Sequence, residues 1–351
     1  MRNDRKIATT TLLALVLTAT AGLPAPSLAQ EAAVDGPEVN WRFSTWGKRR
    51  PFTEGIEAVA DHVSEQTGGN FTIDIAYGEQ LSKARENLDG IAAGAFPMAM
   101  FCAAYHPGKH PSVMVLDLPF LPLPNLDATQ AVHEAVYAHP QVREEFAQWN
   151  AMPFMSAIIP QYEFIGKGDA PQSLGDFEGL RIRALGGLGK ALAEVGATPT
   201  PVPASEIYTA LDRGTIDAAG FSHASMLPFR FHEVSDWYTV GMNPGTLNCP
   251  MVINTDDFAE LPQQYQDLLM EAKDVGYEAL KEANRTGTVK ALEVFEEELE
   301  TVRFTDEEMA EFRAKAGQPI WDEWIEENAA EGLPAQELFG LVMETAENAG
   351  S

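Results

Sequence analysis

Residues 179–221, GLRIRALGGLGKALAEVGATPTPVPASEIYTALDRGTIDAAGF, decide how the rest of the chain is read. They open with a short apolar run, 180–185, interrupted by two arginines two residues apart. Side chains alternate along a strand, so Arg181 and Arg183 share one face. Glycines at 186, 187 and 189 follow, then a short helical run ending at Gly196, where a left-handed cap suits glycine. The proline-rich piece 198–203 reads as extended. Ser205 is the expected N-cap of a second helix, with Ile207, Ala210 and Leu211 as its buried stripe and Gly214 as its stop. Residues 215–219 read as another buried strand. Strands alternating with helices predict an α/β domain, and the arginine-bearing strand ends where such a sheet meets its ligand.

The strings GLRIR (179–183), VGATP (195–199) and SEIYTALDRGTIDA (205–218) resemble the signature region of DctP-type solute receptors of tripartite ATP-independent periplasmic (TRAP) transporters. YGEQL (77–81), DLPFL (117–121), VIN (252–254) and Leu261-Pro262 match other parts of that family, so the resemblance spans most of the chain. It implies a type II-like periplasmic binding protein: two α/β domains joined by a hinge and a long bridging helix. Such a protein binds its solute without chemistry or cofactor and hands it to membrane permease subunits.

Residues 1–29 have the makeup of an export signal. Arg2, Arg5 and Lys6 precede an apolar stretch to about residue 23, and Ser27-Leu28-Ala29 supplies the small residues a signal peptidase reads. An uncleaved anchor is the competing reading. Cleavage would leave a periplasmic protein with no direct membrane insertion. The whole chain of 351 residues carries a formal charge of −28. Residues 1–29 hold three basic residues and one acid, so the remainder has 21 Lys+Arg against 51 Asp+Glu, a charge of −30. Nucleic acid and anionic lipid are poor partners for such a surface. An acidic protein that binds an anion needs a local positive site, which makes buried arginines telling.

The roughly 320 residues after the signal exceed what one core supports, so two domains are expected. Domain I takes 38–160 plus 250–288, and domain II takes 161–249 plus 289–345. The chain crosses near 160–162 and again near 249–250, an arrangement that makes a hinge. Beyond Pro262 a helical stripe runs through Tyr265, Leu268, Leu269 and Ala272 and continues past Gly287 to Leu299. Thr305 and Glu308 have capping-box spacing. The acidic tail from Gly332 is expected to be loosely attached.

Arg183 leads the candidate site residues. The resemblance makes it the partner of a substrate carboxylate, and a planar guanidinium matches a carboxylate bidentately. The competing reading is an internal ion pair. Arg181 stands where the family accepts lysine and is expected outside direct contact. At the family's specificity positions this chain departs from the pattern. Phe221 replaces an asparagine, and Trp46 stands at an often polar position. Cys102 and Tyr105 replace the acid and arginine of sugar-acid receptors, and Glu163 replaces a further arginine. A polyhydroxylated ligand is therefore disfavoured, and Trp46, Tyr105 and Phe221 suggest an aromatic cage with one cationic end. The plain alternative is that two of the three are core residues. Tyr162, His223 and Asn248 join the candidates from loop position alone, and Glu163 would meet a cationic ligand end if it faces the cleft.

Cys102 and Cys249 are the only cysteines, and both map near the cleft. A disulfide between them would tie domain I close to a hinge crossing, so two free thiols are the first expectation and the bridge the alternative. His106 and His110 sit among prolines and a glycine, so no metal pair is expected. The glycines at 186–189 lack dinucleotide and P-loop spacing.

The combined expectation is a periplasmic TRAP receptor, not an enzyme, for a small organic acid, most simply a monocarboxylate with an apolar or aromatic body. Rivals are an ectoine-like zwitterion receptor of the same family and the binding protein of an ATP-driven transporter, which lacks the S-E-I-Y-x-A-L segment. A sensor subunit, and an exported α/β hydrolase whose nucleophile motifs are missing here, complete the alternatives.

Overall fold

A computed structural model describes residues 33–350; the export-signal residues 1–29 lie outside the described residues. Among the described residues eleven strands form two sheets. They are β1 (Val39–Ser44), β2 (Phe71–Ala76), β3 (Met98–Met100), β4 (Ala151–Ser156), β5 (Glu163–Gly166), β6 (Arg181–Arg183), β7 (Thr198–Thr200), β8 (Ala218–Phe221), β9 (Trp237–Thr239), β10 (Pro250–Asn254) and β11 (Glu300–Val302). One sheet runs β2-β1-β3-β10-β4 and the other β11-β9-β5-β8-β6-β7. Each is mostly parallel with one reversed strand: β10 is antiparallel to β3 and β4, and β5 to β8 and β9. Strands such as β3, β8 and β10 are buried along their whole length, which is why they read as continuous apolar runs rather than alternating ones.

The chain passes between sheets from β4 to β5 and returns from β9 to β10. It crosses once more along the 36-residue helix Gln263–Glu298, about 54 Å long at 1.5 Å per residue, which delivers it to β11. The molecule is two-lobed, with the long helix spanning both lobes. Tyr265, Leu268, Leu269, Ala272, Tyr277 and Leu280 are buried along its first half, and Ala291 and Phe295 along its second.

Three local expectations change. The strand around the paired arginines shortens to Arg181–Arg183. Ser205 caps nothing, because a single 3-10 turn, Ala204–Glu206, precedes the helix Ile207–Asp212. The tail is not loose. Ala335–Gly350 is a helix that buries Ala335, Leu338, Phe339, Val342 and Ala346, a helical stripe masked in the sequence by acids on the opposite face. The Thr305–Glu308 box forms as expected, with Thr305 N–H donating to Glu308 Oε2 at 2.9 Å and Glu308 N–H to Thr305 Oγ1 at 3.2 Å.

Candidate ligand-binding site

The segments that follow β1, β3, β6 and β8, and those that lead into β5 and β10, converge on a cavity of about 20 Å³ between the lobes. Ligand sites of open α/β sheets lie at such strand ends. The first lobe contributes Trp46, Arg50, Phe52, Cys102 and Tyr105, and the second Tyr162, Arg183, Phe221 and Ser222. The lobes are closed on it. Ala204 N–H donates to the Tyr105 hydroxyl at 3.2 Å, Arg85 to Pro201 O at 3.1 Å, and Trp321 Nε1 to Pro119 O at 2.7 Å.

Arg183 ends β6 and is only 1% exposed. Nε donates to Val202 O at 3.0 Å and Nη1 to Gly220 O at 3.1 Å, and the guanidinium carbon lies 5.4 Å from the Phe221 ring centre. Two backbone carbonyls thus fix the fork, while no carboxylate among the described residues pairs with it. The internal ion pair is therefore not what holds Arg183. Arg181, on the same strand, is exposed and pairs instead with Asp217 at 2.6 Å. The Tyr162 ring stacks on Phe221 at 5.6 Å. Burial pushes the Tyr162 phenol up to about 12 although Arg183 pulls the other way, so the hydroxyl stays neutral and able to donate. Trp46 Nε1 and Ser222 Oγ are buried without a hydrogen-bond partner. Burying such groups costs free energy unless something answers them.

Cys102 and Cys249 are disulfide-bonded, with Cα atoms 3.9 Å apart. The register explains it. Phe101 N–H donates to Pro250 O and Ala103 N–H to Asn248 O, so Cys102 and Cys249 form the non-hydrogen-bonded pair between them. In antiparallel strands that pairing brings Cα atoms closest, with both side chains on one face. The bridge lies in the cavity wall.

Six of the nine sequence candidates, Arg183, Phe221, Trp46, Tyr105, Cys102 and Tyr162, come together here. Three do not. The Glu163 carboxylate turns into its own lobe, accepting from Thr239 Oγ1 at 2.6 Å and from Gly241 and Asn243 N–H at 2.8 and 3.3 Å. It is therefore already satisfied and faces no ligand in this cleft. His223 Nε2 bonds Thr239 O at 3.0 Å, and with Glu163 it lines a separate cavity of about 360 Å³ beside the hinge. Asn248 is wholly buried, accepting from the Tyr137 hydroxyl and donating its N–H to Asp117. Conversely Arg50, Phe52 and Ser222 were not anticipated. Residues 46–51, WGKRRP, form the loop after the first strand, from which sequence singled out only Trp46; the aromatics flanking Arg50 are the signal that could have found it. No carboxylate or carboxamide side chain lines the cavity, and no group of three or more His, Cys, Asp or Glu could hold a metal among the described residues.

The glycines that begin the helix Gly186–Ala193 serve closure. A Cβ on Gly187 would collide with Asp117 O, and Gly186 (φ +54°) passes Asp117 Oδ2. Asp117 is 1% exposed and its Oδ2 has no partner. Burial pushes it up to about 8, with the Asn248 N–H pulling down. A carboxyl raised in the folded state stabilises fully below its ordinary value near 4, and that contribution is lost as pH rises through about 8. Asp117→Asn is therefore expected to flatten the fall in melting temperature between pH 5 and pH 8. Parallel melting curves for the two proteins would refute this assignment.

Fold and site define a solute-binding protein: two lobes shut on a cationic, aromatic-walled cavity. Residues 43–328 match the family model described as bacterial extracellular solute-binding protein, family 7 (DctP), and the chain belongs to that family. It is a DctP-type extracellular solute-binding protein. Among curated relatives, a monocarboxylate 2-oxoacid-binding periplasmic protein of Nostoc sp. is 27% identical over 277 residues, covering 74% of this chain and 72% of that protein. A TRAP solute-binding protein of Rhodoferax ferrireducens T118, solved with copurified benzoate, superposes with a TM-score of 0.81 at 20% identity, covering 89% of this chain and 98% of that one. The sugar-acid-binding protein DctPAm of Advenella mimigardefordensis, solved with galactonate, gives 0.76 at 19% identity, covering 89% and 99%.

Proposed function

We propose that this chain is the periplasmic receptor for a small organic carboxylate with an apolar or aromatic body, which it delivers to the membrane permease of a TRAP transporter. The observation that carries the reading is Arg183: a buried guanidinium, fixed by two carbonyls, without a carboxylate of its own, beside the Phe221 ring. A charge so placed needs an anion, and a bidentate carboxylate fits its fork. The walls, Trp46, Phe52, Tyr105, Tyr162 and Phe221, supply apolar faces. Arg183, Arg50, Trp46 Nε1 and the hydroxyls donate, while no lining side chain stronger than a hydroxyl accepts. A sugar acid such as the galactonate of the Advenella protein brings many O–H donors that would go unanswered. An ectoine-like cation loses its natural partner because Glu163 is engaged elsewhere. The 2-oxoacids named for the Nostoc relative and the benzoate of the Rhodoferax protein both have the chemistry that donors and aromatic walls would recognise, in lobes opened further than here. Contacts from both lobes would favour the closed state, which is how ligand would drive closure about the hinge. The division into domain I (38–160, 250–288) and domain II (161–249, 289–345) remains part of this proposal.

Thermal shift of ligand-free protein tests it, because ligand that binds only the folded state raises the melting temperature by mass action. Aromatic, branched and 2-oxo acids are expected to shift it, and polyhydroxylated sugar acids and ectoine are not. A shift with sugar acids alone would overturn the apolar-body assignment. No shift with any acid, in protein verified as folded and ligand-free, would overturn the receptor reading.

A further inference from the structure

We propose that Arg50 is a second ligand-reading cation, and that the ligand carries, besides the carboxylate held by Arg183, another oxygen acceptor, a carbonyl or a second carboxylate. This rests on the reading of Arg183 above. Arg50 is 4% exposed and lines the same cavity, but it comes from the opposite lobe. Its Nη1 donates to Trp46 O at 2.9 Å and Lys48 O at 2.8 Å. Three rings surround the guanidinium carbon, with centres at 4.6 Å (Phe52), 5.1 Å (Phe229) and 5.9 Å (Trp46). Neither Nε nor Nη2 donates to a described residue, and no carboxylate among the described residues pairs with it. The chain has 52 acids against 24 basic residues, so an unpaired buried arginine is not for want of acids. The neighbouring Arg49 shows the contrast, pairing with Glu54 at 2.8 Å and Glu57 at 3.5 Å while half exposed. Burial lowers Arg50 to about 10, which leaves it a cation at neutral pH.

A desolvated, unanswered cation costs free energy, and ring contacts return only part of that cost. Arg50 and Arg183 stand in different lobes around one cavity, with the free donors of Trp46 and Ser222 beside them. A ligand with an acceptor for each guanidinium would bridge the lobes and be read from both sides. A plain hydrocarbon acid would satisfy Arg183 alone and leave Arg50 desolvated.

Titration calorimetry of ligand-free protein against two matched series tests this: hexanoate, 5-oxohexanoate and adipate, then benzoate, 3-acetylbenzoate and isophthalate. In at least one series an acceptor-bearing member is expected to bind at least tenfold more tightly than its plain parent. In Arg50→Met that advantage should shrink to within about threefold, the ratio of the two Kd values being the readout. Plain parents that bind as tightly as their acceptor-bearing partners would overturn the inference while leaving the carboxylate receptor intact. So would an Arg50→Met protein that weakens every acid alike, since that marks a structural brace. Should Arg50→Met not fold, the wild-type series alone decides. Wild-type protein that binds no member of either series overturns this inference, and the thermal-shift panel then shows whether the receptor reading falls with it.

Discussion

Arg183→Met is expected to weaken carboxylate binding by at least a hundredfold while leaving the protein folded. Removing one partner of a buried, hydrogen-bonded charge pair costs about 2–5 kcal/mol, or roughly 30-fold to several thousand-fold in affinity. The upper part of that range applies because Arg183 is 1% exposed and its fork is held in place by Val202 O and Gly220 O. Methionine keeps much of the volume against Phe221. Without ligand the native Arg183 is a buried charge with no counter-ion, so the variant's own melting temperature should hold or rise. The diagnostic result is thus a split: an unchanged or higher melting temperature without ligand, and no ligand-induced shift. A variant that still binds with native affinity would remove Arg183 from the site. One that melts far lower without ligand would make it a structural residue.

The second large effect concerns the bridge between Cys102 and Cys249, 147 residues apart in sequence. Closing a loop of that length removes denatured-state entropy worth about 5 kcal/mol in the chain-entropy model, and measured losses for native disulfides run about 2–5 kcal/mol. Cys102→Ser combined with Cys249→Ser should therefore lower the melting temperature by about 5–15 °C, at roughly 2–4 °C per kcal/mol for large domains. Wild-type protein melted under reductant should follow the double variant. Identical melting of oxidised wild type and double variant would mean that the cross-link adds nothing to stability. Because the bridge is also part of the cavity wall, ligand affinity of the reduced protein reports whether it matters to the site as well.

The comparison with the hinge-side cavity sharpens what makes a ligand site here. That cavity is the larger, yet the titratable groups in its wall, Glu163 and His223, are already hydrogen-bonded to Thr239 and to the 241–243 loop. The smaller one holds two unpaired guanidiniums and two orphaned donors. The hinge-side wall also holds an unpartnered group, Gln161 Oε1, so what distinguishes the smaller cavity is its two buried cations without a carboxylate.

The sequence by itself determined whatever rests on local spacing. Alternating strands and helices in 179–221 set the α/β class. Arg181 and Arg183 share a strand face because side chains alternate with a period of two, while the strand's end at Arg183 came from the structure. The i, i+3, i+4 stripe after Pro262 set the long helix, and Thr305 with Glu308 set a cap. The two lobes followed from the chain's size and its two crossings.

Only the tertiary structure decided which of these residues meet. Cys102 faces Cys249 because β3 and β10 pair in one register, a fact that lies in neither strand alone. Glu163 turned away from the cleft because the 241–243 loop offers it backbone N–H groups from 80 residues downstream. The acidic tail docked because its apolar stripe found a surface to cover. Arg49 and Arg50 are adjacent and chemically identical, yet one lies in solvent beside two glutamates and the other lies buried among three rings. Short-range pattern fixes the period of an element, whereas the partner of a side chain depends on long-range packing and on the closing of one lobe over the other.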